Sequence, residues 1–340
     1  MSTNGISNSI KAGVSACAVA AAAAAMSAGG AYAQQAATAS YPAAKPVRVL
    51  VGYAPGGGTD IMARVITTKL SESMKQQFVV ENRPGANANI ATKIAADAPA
   101  DGYTLLFMSV TQIMSKPVYK NLGYDIERDL TPISVVTSVP NVLCVHPSLP
   151  AKTVKDYIAI ARAKPGTLTY ATSGVGSPEH FAGEMFKMMT KIDVLAIPYK
   201  GGGPIAIDLV GGQVMSSFNT MPPIIPYIQS GRVRALAVTT EKRVAVLPEV
   251  PTVAESGVPG YVMSTWYGAV APAKTPREIV VRLNQETVKA LALPDVKERM
   301  ASLGAEVVGN TPDEASALFK TELAKYTKVA RAAKISVDNP

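Results

Sequence analysis

The sequence predicts an α/β protein of two lobes with a largely parallel sheet, on three observations. Short apolar, β-branched runs alternate with amphipathic helical segments along the chain. Several of these runs open onto loops of glycine, serine, threonine and proline. Once a leader is set aside, about 300 residues remain, a length typical of two domains with a sizeable core.

The leader is read from the amino-terminal residues. Lys11 precedes an uncharged, alanine-dominated run from Ala12 to Ala28, and Ala31-Tyr32-Ala33 is a small-residue cleavage site, so residues 1–33 read as a secretory signal peptide. A membrane anchor fits less well, because the run is Ala and Gly rather than Leu or Ile and no stop-transfer cluster follows. Cys17 precedes the apolar run where a lipidation site needs it to follow. Cleavage leaves Cys144 alone, with no partner for an intramolecular disulfide. The formal charge of +8 becomes +7 without Lys11 (8 − 1), and the basic residues are scattered. No basic run or aromatic-interleaved stripe points to nucleic acid, whereas a small anion suits the balance.

The central stretch runs from Val47 to Arg64. Val47, Val49, Leu50 and Val51 make a strand, Pro55-Gly56-Gly57-Gly58 stops it, and Thr59 or Asp60 can cap a helix with Ile61, Met62, Val65 and Ile66 on its apolar stripe. Successive residues without Cβ let backbone N–H groups converge, and a helix N-terminus adds positive potential, so the loop suits a carboxylate or a phosphate. Neither nucleotide fingerprint fits: no Lys follows the glycines, and Ile61 stands where the last glycine of a dinucleotide loop belongs. A plain strand-to-helix turn is the alternative.

Phe78 to Glu81 reads as a strand, Arg83 to Ala86 as a turn, and Ala88 to Ala98 as a helix. Leu105 to Met108 is an unbroken apolar strand, with Ser109 and Thr111 beyond its carboxyl end, the edge where α/β sheets bind ligands. Ile133 to Val136 and Val142 to Val145 are extended runs separated by Ser138-Val139-Pro140. They are either strands that cross from one lobe to the other or a hairpin.

A second α/β unit follows. Thr153 and Asp156 box a helix to Ala163, Leu168 to Ala171 is a strand, and Thr172 to Ser177 is a loop ending on a cap with Pro178 in the first helical position. The design recurs at Val194 to Ile197 with Tyr199-Lys200-Gly201-Gly202-Gly203, and at Val214 to Phe218 with Asn219-Thr220. Ala235 to Thr239 is a further strand, and residues 250–257 read as a turn with a helical segment. Met263 to Pro272 is extended and returns the chain to the first lobe. Thr275-Pro276-Arg277-Glu278 and Thr311-Pro312-Asp313-Glu314 read as capping boxes of carboxyl-terminal helices, with a strand at Glu306 to Val308. The lobes expected are 45–141 with 267–340, and 142–266.

The blocks P-G-G-G-T-D-I-M-A-R (55–64), E-N-R-P-G-A (81–86), D-G-Y-T-L-L (101–106), Y-A-T-S-G-V-G-S-P-E-H (170–180), P-Y-K-G-G (198–202), P-E-V-P-T-V-A-E-S-G (248–257) and W-Y-G (266–268) occur in one order. In these the chain resembles the Bug receptors, extracytoplasmic solute-binding proteins of tripartite tricarboxylate transporters. The resemblance implies a periplasmic-binding-protein-like fold of type II, with two α/β lobes closing on a small carboxylate, no catalysis, no metal or other cofactor, and membrane transporter subunits as partners of a monomer. Carried over, Tyr53, Ala54, Gly56, Gly57, Gly58, Thr59 and Asp60 grip one carboxylate through backbone amides and water. Thr172, Ser173, Gly176, His180, Tyr199 and Gly201 take the other end of the ligand. Asn219 stands where an Asp is frequent, which turns preference from amino-bearing ligands toward plain mono- or dicarboxylates, and Asn87 stands where a glycine is common.

Other chemistries find less support. His180, in a first helical turn, is either a neutral ligand donor or a packed ring; His146 reads as structural. Two histidines and one cysteine cannot make a standard zinc site. A serine hydrolase needs a triad around Ser173 and His180, yet Ala171 breaks the G-x-S-x-G elbow and only Glu184 shares a face with the histidine. Tyr53, Tyr199 and Trp266 either wall a pocket or pack in the core. Uptake and ligand sensing remain alternatives on sequence alone.

Overall fold

The computed structural model describes residues 41–337. The expected signal peptide lies outside the described residues. No helix among them is long and apolar enough to cross a membrane.

The first half builds a parallel edge. Strand β1 (Val47–Val51) pairs in parallel with β2 (Phe78–Asn82) and β3 (Thr104–Ser109), the last buried at every position. Helix α1 (Gly58–Met74) follows β1, α2 (Asn89–Ala96) precedes β3, and α3 (Thr111–Val118) starts two residues after it. The second half builds another. Strand β5 (Thr169–Thr172) lies parallel between β6 (Leu195–Pro198) and β7 (Ser216–Thr220), with α4 (Val154–Ala163), α5 (Pro178–Thr190), α6 (Gly202–Val210) and α7 (Met221–Gln229) completing the α/β alternation.

Between the two edges the sheet is antiparallel, a correction to the largely parallel sheet expected. Strand β4 (Leu130–Val145) is one continuous strand of 16 residues rather than a hairpin. Its first part, to Pro140, pairs with β9 (Ser264–Pro272); from Asn141 it pairs with β7 on one side and β8 (Arg234–Val238) on the other. Strand β10 (Glu306–Val307) also joins β4. Pro132 lacks the N–H a ladder requires, and the register against β9 slips between Pro132 and Ser134.

Asn141 marks the exchange of partners and is fully buried. Its side-chain amide donates to the Phe218 carbonyl at 2.9 Å, and its Oδ1 accepts from the Thr265 hydroxyl at 2.7 Å. Its N–H donates to Thr239 Oγ1 at 3.0 Å, which in turn donates to the Met263 carbonyl at 2.7 Å. One side chain thus satisfies groups on β7 and β9 where no regular ladder is available.

The carboxyl-terminal helices are α8 (Arg277–Ala292), α9 (Pro294–Ser302) and α10 (Pro312–Ala332). Thr311 and Glu314 form the expected capping box of α10. The box expected at Thr275 is absent: Pro276 occupies the cap, no side chain bonds there, and the buried Thr275 Oγ1 lacks a partner. Residues 250–257 form turns without a helix. Trp266 stacks on Phe319 at 5.1 Å and Phe181 packs edge-on to Tyr326, so α10 is held against the sheet by aromatic faces.

Replacing Asn141 by Ala strands the Thr265 hydroxyl and the Phe218 carbonyl in the core. Asn141→Ala is expected to remove about 2–4 kcal/mol of stability, read as a lowered urea midpoint. A loss below about 1 kcal/mol contradicts the role given to this residue.

Candidate functional site

The carboxyl ends of the parallel strands, with the helix starts that follow them, surround a narrow cleft. Tyr53, Gly57, Gly58 and Thr59 line it from the β1–α1 turn, and Ser109 and Thr111 from the β3–α3 turn. From the second edge come Ser173, Pro178 and Glu179 before and within α5, Gly202 at the start of α6, and Thr220 at the cap of α7. Thr265 and Tyr267 of β9 complete the lining. Five helices, α1, α3, α5, α6 and α7, therefore begin at one place. Each start adds roughly half a positive charge, and its first turn carries N–H groups without intrahelical acceptors except where Pro178, Pro204, Pro222 and Pro223 have none. Among the described residues, those lining the cleft include no Lys, Arg or His, and the one carboxyl group is that of Glu179.

The β1–α1 turn is built by its glycines and by Asp60. Gly56 has φ +81°, a conformation that side chains with Cβ rarely adopt. Its N–H donates to Asp60 Oδ2 at 3.0 Å, while Arg64 and Asn82 donate to Oδ1, each at 2.9 Å. Burial pushes the Asp60 carboxyl up, but these donors from Arg64, Gly56 and Asn82 outweigh it and hold it below the ordinary value. Thr59 and Asp60 do not cap α1 as expected; Gly57 is the cap residue and no side chain bonds there. The carboxylate of Asp60 instead ties the loop down from within the first turn. At Gly58 a Cβ would stand 2.1 Å from the Tyr267 hydroxyl, so only glycine allows β9 to approach.

A polar chain runs from this turn across the cleft. Ser109 Oγ donates to Thr111 Oγ1 at 2.7 Å, and the Tyr53 hydroxyl lies 2.9 Å from Thr111 Oγ1 and 3.0 Å from Asn87 Oδ1. Burial pushes the Tyr53 phenol well above its ordinary value, so it is a neutral donor. The Asn87 amide donates to the Val175 carbonyl at 3.0 Å, and the Tyr119 hydroxyl donates to the same oxygen at 2.8 Å. The Ala54 N–H donates to the Lys200 carbonyl at 2.9 Å. Loops of the two sheet edges are thus joined directly. Asn87 has φ 52°, a left-handed conformation Asn tolerates better than most residues.

On the second edge, Ser177 caps α5 through the His180 N–H. The His180 ring stands outside the cleft lining. Its Nδ1 accepts from the Gly176 N–H at 3.4 Å, which leaves a neutral ring with its proton on Nε2, and burial lowers its pKa against the pull of Glu184. Glu184 accepts from the Tyr170 hydroxyl and from Lys187, each bond near the length of a good charge-assisted contact. Ser173, His180 and Glu184 therefore form no hydrogen-bonded triad. Asn219 also stands behind the lining, its amide donating to the Gly202 carbonyl at 3.3 Å.

Of the residues singled out from the sequence, the cleft brings together Tyr53, Gly57, Gly58, Thr59, Ser109, Thr111 and Ser173. Ala54, Gly56 and Asp60 shape the same turn from behind. Thr172, Gly176 and Gly201 hold loop geometry: Thr172 Oγ1 accepts from the Gly174 N–H, and its carbonyl accepts from the Tyr199 N–H. Tyr199 borders an adjoining opening with Asn87 and Tyr119. Sequence reasoning missed Glu179, Gly202, Thr220, Thr265 and Tyr267. The alternation of side chains along β9 was the available signal for Tyr267: it puts Trp266 into the core and its neighbour toward the cleft.

Residues 62–335 match the family described as tripartite tricarboxylate transporter family receptor. Protein BugT of Bordetella pertussis is 38% identical over 294 residues, covering 86% of this chain and 90% of that protein. The structure of an R. palustris protein with adipate is similar at a TM-score of 0.85 and 39% identity, covering 87% of this chain and 99% of that one. MatC from Rhodopseudomonas palustris with bound malate is similar at 0.82 and 30%, covering 85% and 99%. A fold of two α/β lobes around a cleft at the helix starts, and a match spanning most of the chain, lead to one assignment: the protein belongs to the tripartite tricarboxylate transporter receptor family.

Proposed function

We propose that the protein is a periplasmic receptor that captures a small organic carboxylate between its lobes and delivers it to the membrane subunits of a tripartite tricarboxylate-type transporter. The observation that carries this reading is the meeting of five helix starts in a cleft whose lining holds no cation among the described residues. Peptide dipoles and neutral hydroxyls suit a carboxylate, whose oxygens accept several hydrogen bonds at once. Structural relatives carry adipate and malate. In this reading residues 1–33 direct export, residues 45–141 and 267–340 form one lobe, and 142–266 form the other. The lobes hinge where β4 and β9 pass between the edges. The protein binds and releases its ligand unchanged, and Ser173 serves as a hydrogen-bond donor rather than a nucleophile.

Two outcomes are expected. Thermal-shift screening with dicarboxylates, adipate and malate among them, and with aromatic acids finds a stabilising ligand: at about 100 times its dissociation constant it adds roughly 2.7 kcal/mol, or about 4 °C. Stabilisation by sugars or nucleotides with none by any carboxylate refutes the reading. Gly58→Ala drives a methyl group against the Tyr267 hydroxyl. It lowers carboxylate affinity at least about tenfold and stability by about 1–3 kcal/mol, read by titration calorimetry and thermal unfolding.

A further inference from the structure

One ionisable side chain in the cleft has a buried oxygen without a partner. Glu179, 3% exposed, lines the cleft, and its Oε2 accepts no hydrogen bond. Burial pushes its carboxyl up; the hydroxyls of Ser177 and Ser173 and nearby N–H groups pull the other way without restoring the ordinary value. The titratable groups near it from other elements are the buried phenols Tyr53 and Tyr267, both kept neutral by burial. On its own helix His180 is engaged with Gly176, and Glu184 with Tyr170 and Lys187. At the start of α1, Asp60 is paired with Arg64 and stands outside the lining. From α3, α6 and α7 only the uncharged Thr111, Gly202 and Thr220 reach the cleft.

A ligand carboxylate placed here meets a second carboxyl group and no side-chain cation. Two like charges side by side in a buried site disfavour each other, so one proton is held between them. The helix starts favour the charge on the ligand, and the proton falls to the glutamate. We propose that Glu179 recognises its ligand as a neutral acid, its O–H donating a hydrogen bond to one oxygen of the bound carboxylate. The inference rests on the receptor reading above. The proton comes from solvent whenever Glu179 is ionised before binding, and it returns to solvent on release. The bond formed is a charge-assisted O–H···O⁻ contact, stronger than that of a serine or amide donor.

The test is calorimetric titration with adipate, malate, succinate and benzoate from about pH 5.5 to about pH 9.5, in two buffers of different ionisation enthalpy. Affinity is expected to be level below the Glu179 pKa and to weaken about tenfold per pH unit above it, with uptake of one proton. Glu179→Gln keeps an N–H donor in the same shape, so it retains affinity within about tenfold at low pH and loses both the slope and the uptake. Without ligand, the raised Glu179 pKa gives stability present below the unfolded value of about 4.3 and lost as pH rises through the folded value; Glu179→Gln removes that loss. Carboxylate binding of equal affinity across the range, without proton uptake, while the difference in stability between the unliganded protein and Glu179→Gln shows Glu179 losing its proton within that range, overturns the inference and leaves the receptor reading standing. So does tighter binding of glutamate than of glutarate, titrated as a further pair, that Glu179→Gln abolishes, because an ionised Glu179 would then be pairing with an ammonium group. Absence of binding by all four acids at every pH brings down the receptor reading, and this inference with it.

Discussion

The structure depends on a change of partners within one strand. β4 leaves β9 as its neighbour and takes up β7 and β8 without a break in the chain, and at that step ladder hydrogen bonding cannot serve every buried polar group. Asn141 supplies the missing bonds to both sides. The constraint sets the rest: two parallel edges hang from a common antiparallel centre, and their carboxyl ends, with the helices that start there, are brought to face one space. Loss of the junction would disorganise the cleft even though Asn141 does not line it.

The cleft gathers its positive potential from backbone rather than from side chains. α1, α3, α5, α6 and α7 all begin there, and the turns before α1, α5 and α6 carry glycines. Gly58 and Gly202 are placed where a Cβ would strike Tyr267 and Asn219 respectively. Asp60 and Asn87, which hold the turns, are tied to partners away from the lining or across it. In this setting Glu179 is the exception, a carboxyl group in a site otherwise arranged for anions.

Much of this was legible in the sequence because the governing signals are local. Glycine-proline turns after β-branched runs, the Thr153 and Thr311 capping boxes, and Pro178 behind Ser177 each depend on a few adjacent residues. What was illegible depends on pairing over long distances. The antiparallel centre could not be read, because strand direction leaves no mark in a run such as Val142 to Val145. Thr275 carries the pattern of a capping box, yet Pro276 takes the cap position and the Thr275 hydroxyl is left without a partner. Glu179 was set aside because it does not share a helix face with His180; that it is a buried acid lining the cleft emerges only from the packing around it. Asn87 likewise declares its role only when Val175, 88 residues further along the chain, lies within reach of its amide.

Holding an anion with peptide groups has an entropic side. A lysine or arginine grip must freeze about 2 kcal/mol worth of rotamer freedom each time a ligand arrives. The N–H groups at Gly57, Gly58 and Gly202 were fixed when the helices formed, so seating a ligand immobilises little that was still free. In the receptor proposed, the grip and the choice of ligand would thereby be separated: side chains around the cleft could be exchanged to suit a longer, shorter or ring-bearing acid while the backbone turns stay as they are.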